Sequence, residues 1–161
     1  MKACDTANRD IIKCFVDGGS DINKIYAWGD TALTNAVTSN KNLKLIEYLI
    51  DLGADIDKPN IYGDTPLICA IQEKSLGMVD YLISKGADPN MKNEADETPL
   101  IYSIQIKNPD ISIINYLINH GADVNGKGQK GKTPFYYAVK IGNIDVVKCL
   151  IDHGAIVKTK N

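Results

Sequence analysis

Arginine is nearly missing from this chain: Arg9 stands alone among 161 residues, and the net charge is −2. A charge so close to zero removes any chain-wide attraction to nucleic acid or to an anionic membrane. No apolar run approaches a bilayer span, and the first residues, MKACDTANRD, lack the apolar core of a signal peptide. Both absences point to a cytoplasmic place of action, in the host cytosol if the protein acts on a host. Cys4, Cys14, Cys69 and Cys149 form no C-x-x-C motif, which reads as reduced intracellular thiols rather than a disulfide frame. The two histidines, His120 and His153, bring no further ligands with them, so no zinc site is expected. Each precedes a glycine at an expected helix end, where the negative pole of the helix dipole favours an imidazole. The remainder is ordinary, 44% apolar and 24% charged, in a length that suits one domain with a sizeable core.

What the chain has in excess is repetition. Gly-Ala-Asp recurs at Gly53, Gly86 and Gly121, with variants at Gly19 and Gly154, and successive glycines lie 34, 33, 35 and 33 residues apart. A second marker, T-[PA]-[LF], recurs at Thr31, Thr65, Thr98 and Thr133, always 12 residues after a marker glycine. Each unit reads as two helices. Thr65-Pro66-Leu67 supplies a hydroxyl N-cap and then proline at the first helical position, where its missing N–H is not needed. Leu67, Ala70 and Ile71 share one face of that helix; Met78-Val79-Asp80-Tyr81-Leu82-Ile83 forms the second, closed by Gly86 in a left-handed conformation. Length differences fall in SNKN and IKNPDIS, the turns between paired helices, where insertions cost least.

These markers carry a family resemblance. From about Ala3 to about Val157 the chain resembles ankyrin-repeat proteins, whose unit of about 33 residues bears T-P-L-H-x-A. The resemblance implies an all-α repeat solenoid of helix-turn-helix units joined by β-hairpin-like loops. Residues 1–161 then form a single domain of about five repeats: a truncated one at 1–28, then 29–62, 63–95, 96–130 and 131–161. The family histidine is replaced by Thr34, Ile68, Ile101 and Tyr136, which implies loss of a hydrogen bond and less rigid repeats. The hairpin glycine of Gly29, Gly63 and Gly131 is Asp96 in one unit; aspartate tolerates the left-handed region. Thr6, Asn8, Arg9 and Asp10 suit a polar front cap, whereas DVVKCLID and VKTKN make an only partly polar back. That back is either a weak cap or a face that stacks on a partner.

GKGQKGKT, residues 126–133, fits the phosphate-loop pattern at every fixed position. Register explains it otherwise. Thr133 is the N-cap of its unit, Gly131 is the hairpin glycine, and HGADVN upstream is a helix end rather than a buried strand. Asp30, Asp64 and Glu97 align across units, but a pitch of roughly 10 Å separates them too far for a shared acid–base task. No nucleophile elbow or metalloprotease motif appears, and no Cys/His pair is brought together by the repeat; no enzyme, cofactor or metal is expected. Cys14, Tyr48, Tyr81, Tyr116 and Cys149 occupy one column, read as core with tyrosine hydroxyls at the solvent edge.

The resemblance implies a non-enzymatic protein–protein interaction module, binding through a concave surface of hairpin tips and exposed first-helix positions. By register these are Tyr26, Trp28, Asp30, Ile61, Tyr62, Asp64, Gln72, Glu73, Glu97, Gln105, Lys130, Lys132 and Lys140. Trp28 and Tyr62 are the expected anchors, and the lysines the contact for acidic groups. A structural role, stacking end-to-end on a second copy or a neighbouring domain, is the alternative. The abundance of Ile, Asn, Lys and Tyr resembles ankyrin proteins of large DNA viruses, intracellular bacteria and some protists, which would make the partner a host protein. Nucleic acid and membrane are not expected partners.

Overall fold

The computed structural model of the protein describes residue 14 and residues 17–27, 29–40 and 42–157. The expected front cap and first helix, Trp28, Cys4 and the tail from Lys158 lie outside the described residues. Among the described residues there are eight helices and no strand. They are α1 (Ala32–Asn35, continued by a π-helical turn Ala36–Asn40), α2 (Leu43–Asp51), α3 (Pro66–Gln72), α4 (Leu76–Ser84), α5 (Pro99–Gln105), α6 (Ile111–Asn119), α7 (Pro134–Ile141) and α8 (Ile144–Asp152). Helices α1, α3, α5 and α7 stack in one layer and α2, α4, α6 and α8 in a second, an all-α repeat solenoid. No helix among the described residues is long and apolar enough to cross a membrane.

Local chemistry sets the helix ends. Thr31, Thr65, Thr98 and Thr133 sit in extended backbone, and each hydroxyl accepts the N–H three residues on, from Thr34, Ile68, Ile101 and Tyr136. Pro66, Pro99 and Pro134 occupy the first turn. Where Ala32 replaces proline, Thr34 compensates: its hydroxyl accepts from Thr31 N–H and completes a capping box. Thr34 also donates to Asp30 at 3.1 Å, while Ile68 and Ile101 are wholly buried. A hydroxyl pair or apolar packing occupies the place of the family histidine in three units, while Tyr136 is exposed in the fourth.

The second helices end alike. At Gly53 the chain turns left-handed (φ 92°), Gly53 N–H reaches Ile50 C=O, and Ala54 N–H reaches Leu49 C=O. The pair of bonds is a Schellman motif, and it recurs at Gly86, Gly121 and Gly154. The same leucine anchors each one in the core: Leu49, Leu82, Leu117 and Leu150 are at most 2% exposed.

G-A-D-x-N also joins one unit to the next. The Asp21, Asp55, Asp88 and Asp123 carboxylates each accept the N–H two residues on. That turn aims the following side chain across the stack. Asn90 accepts Asp123 N–H and donates to Gly121 C=O, both at 2.8 Å; Asn23 and Asn125 grip Gly53 and Asp55, and Gly154 and Ile156, in the same way. The exception is Asp57. It accepts Asp88 N–H but has no amide donor for Gly86 C=O. Burial lifts its carboxyl above the ordinary value, with Asp88 and Asp55 adding repulsion against the Asp88 N–H bond.

A carboxyl raised in the folded state favours the fold while protonated, and that contribution is lost as pH rises through its folded pKa. Asp57→Asn should therefore raise stability at pH 7 by about 0.5–1.5 kcal/mol, the gain shrinking towards pH 4. Asn90→Ala should cost about 0.5–1.5 kcal/mol by removing two hydrogen bonds at the surface of the stack. Urea unfolding of each variant checks both signs.

Candidate interaction surface

Among the described residues there are four hairpin tips, each preceding a first-layer helix, within 26–30 (Trp28 apart), 60–64, 93–97 and 128–132. In each, the first N–H donates to the fifth C=O and the fourth N–H returns to the first C=O: Tyr26–Asp30, Asn60–Asp64, Asn93–Glu97, Gly128–Lys132. The fourth residue is left-handed in all four, at Gly29, Gly63, Asp96 (φ 60°) and Gly131. Glycine has a second reason at Gly29 and Gly63. A Cβ at Gly63 would lie 2.4 Å from the backbone N of Glu94, and one at Gly29 would lie 2.5 Å from Ile61. At the next tip the close approach falls on Gly128 instead, where a Cβ would lie 2.8 Å from Ile101 and 2.9 Å from the Asp96 carbonyl oxygen.

Side chains lock the tips together. The Asn60 carbonyl accepts Tyr62 and Asp64 N–H at 3.0 Å, and its NH2 reaches back to Asp30 at 3.3 Å. Asn93 accepts Ala95 and Glu97 N–H and donates to Asp64 at 3.1 Å. Ile61 N–H donates to Gly29 C=O at 2.8 Å, a direct backbone link between tips. The aligned acids are thus the acceptors of this ladder. Burial lifts the Asp64 carboxyl above its ordinary value, against the bond from Asn93. Beneath it the Cys69 thiol and Tyr102 phenol are each pushed up to about 12, chiefly by burial and then by Asp64. The sequence reading passed over Asn60 and Asn93; their alignment five residues before each Thr was the available signal.

The expected surface residues fall into groups. Tyr62 projects from its tip, 66% exposed, while Ile61, half exposed, lies against Gly29; Tyr26 is also exposed. Trp28 is outside the described residues. Asp30 and Asp64 are half-buried in the ladder, and Glu97 is held by Asn93 and by Gln105 at 2.6 Å. Gln72, Lys130 and Lys140 are exposed and Glu73 is half-buried. The Lys132 ammonium lies 4.6 Å from the centre of the Tyr136 ring.

The phosphate-loop lookalike is the fourth tip. Gly128, Gly131 and Lys132 N–H groups are spent on carbonyls within the hairpin, and the Thr133 hydroxyl caps α7. Those donors cannot cradle a phosphate. In the tyrosine column, Tyr116 donates to Asp80 and stacks on His120, with ring centres 3.8 Å apart. Tyr81 overturns the expectation for its own hydroxyl, which is buried rather than at the solvent edge. His120 and His153 cap their helices, each Nδ1 lying 2.8 Å from the carbonyl four residues back.

One juxtaposition was missed: Cys149 Sγ lies 3.9 Å from His153 Nδ1 and donates to Asn115 Oδ1 at 3.0 Å. The helical spacing of four residues was the signal. Chemistry does not follow from it, because that nitrogen is engaged by the Cys149 carbonyl and burial raises the thiol. Among the described residues no cluster of three His, Cys, Asp or Glu side chains could hold a metal. A shallow pocket of about 450 Å³ lies between the inter-helix turns, but Lys74 on its wall is engaged by the Lys107 and Asn108 carbonyls.

The family model described as ankyrin repeats (3 copies) matches residues 1–93 and 86–161. This chain belongs to the ankyrin-repeat family. No curated protein matches it. Ankyrin repeats generally serve as protein–protein interaction modules, and the tips and first helices of this ankyrin chain form its candidate surface.

Iodoacetamide at neutral pH should label the exposed Cys14 and spare Cys69 and Cys149 in the folded protein. Peptide mass spectrometry reads the outcome, and rapid labelling of Cys149 would contradict its assigned surroundings.

Proposed function

We propose that this ankyrin chain is a non-enzymatic module, a single domain of about five repeats, that binds another protein through its hairpin tips and first helices. The observation that carries the reading is Tyr62, exposed on a tip whose backbone is fixed from below by Asn60. An aromatic group held in place before binding loses little entropy on capture, and tyrosine and tryptophan are enriched among interface hot spots. Tyr26, Trp28, Ile61 and Tyr62 offer the apolar end of the surface, and Lys130, Lys132 and Lys140 the basic end. Asp30, Asp64 and Glu97 act within it chiefly by holding the tips. The partner places an apolar group on Trp28 and Tyr62 and acidic groups near the lysines; the lysine-rich composition suits a host protein met in the cytosol.

Two measurements bear on this. Trp28→Ala with Tyr62→Ala should weaken capture of a partner identified by mass spectrometry by more than about tenfold, with helicity unchanged. Unchanged affinity would remove the site. ATP or GTP titration should leave Tm where it is, because the amides of the fourth tip are already bonded.

A further inference from the structure

The fourth helix pair departs from its siblings on the face that points away from the stack. Three residues after each N-cap stand Thr34, Ile68, Ile101 and Tyr136; six after it stand Val37, Ile71, Ile104 and Val139. The first three of each set are at most 1% exposed, covered by the next pair. Tyr136 is 42% exposed and Val139 54%, and Ile151 on α8 is 47% exposed where Ile50, Ile83 and Ile118 are half-buried. The fourth pair thus keeps core residue types on a face that no other helix among the described residues covers.

Charge narrows what can cover this face. Just before the N-cap, Asp30 and Asp64 accept an NH2 proton from the asparagine of the following tip. The same place in the fourth tip holds Lys132, a group with donors only, drawn over Tyr136. Lys140 lies four residues after Tyr136, on the same side of α7. Another unit of the asparagine type would set donor against donor, and two copies meeting here would bring lysines together. An occupant with carboxylates has neither conflict. Within the stack this side of each first-layer helix is covered by another helix, at the usual 8–10 Å spacing.

We propose that the outer face of α7 and α8 docks an acidic amphipathic helix of another protein. Its apolar stripe rests on Tyr136, Val139 and Ile151, and its carboxylates accept from Lys132 and Lys140. The site shares Lys132 and Lys140 with the basic end of the tip surface proposed above and is separate from its apolar end around Tyr62.

The test uses two synthetic helical peptides of about twenty residues, one with a leucine stripe flanked by glutamates, the other by lysines. Fluorescence anisotropy should show the glutamate peptide binding at least about tenfold tighter than the lysine one, a preference that Lys132→Glu reverses. Val139→Glu, at an exposed position that leaves the core intact, should weaken binding by at least about tenfold; Tyr62→Ala should not change it. Failure of the glutamate peptide to bind, equal binding of both peptides, or no effect of Val139→Glu overturns the proposal. So does a dimer in sedimentation equilibrium that Val139→Glu abolishes, which would make a second copy the occupant. Because Tyr62 belongs only to the tip surface and Val139 only to this face, the Val139→Glu and Tyr62→Ala outcomes separate the failure of one proposal from the failure of the other.

Discussion

Asn90 spans two successive turns with both ends of its amide, accepting a backbone N–H through its oxygen and satisfying a carbonyl through its nitrogen. A short helix pair cannot bury its apolar face alone, so each unit depends on its neighbour for a core. The stacking of apolar helices is tolerant of sliding, whereas a two-ended amide is not. Asn23, Asn90 and Asn125 fix the register, and the leucines before each marker glycine then fall into one continuous column. The Asp57 junction, with half of that grip, is the weakest of the four by the same reasoning.

The tips inherit this order. Once the Schellman turns are registered, the tips lie close enough that a Cβ at Gly63 would collide with the next backbone, and Asn60 and Asn93 can reach acids about 30 residues earlier. Fixed tips with an aromatic group projecting suit recognition better than chemistry. Cys69 and Tyr102, beneath the tips, are driven towards their neutral forms, and the amides of the phosphate-loop lookalike are consumed by its own hairpin.

Much of this was legible in the residues. Thr-Pro-Leu and Gly-Ala-Asp have mechanisms that act within a few residues, a cap and a left-handed stop, so spacing alone placed the helices. Asp96 in the left-handed region and the helix-capping histidines followed from the same local chemistry. Contacts across about 30 residues were not legible. Alignment showed that Asp30 and Asp64 coincide, but not that a neighbouring asparagine claims them, because an exposed acid and a hydrogen-bonded one look the same in sequence. The depth of the Tyr81 hydroxyl was not legible either, because tertiary packing decides it.

With these bonds the surface tips form a rigid platform rather than mobile loops. Native-state hydrogen exchange at the Tyr62, Asp64, Ala95 and Glu97 amides, each bonded to an asparagine side chain, tests it most directly. Protection approaching that of the core helices is expected; exchange at the rate of an open loop would show the tips to be mobile.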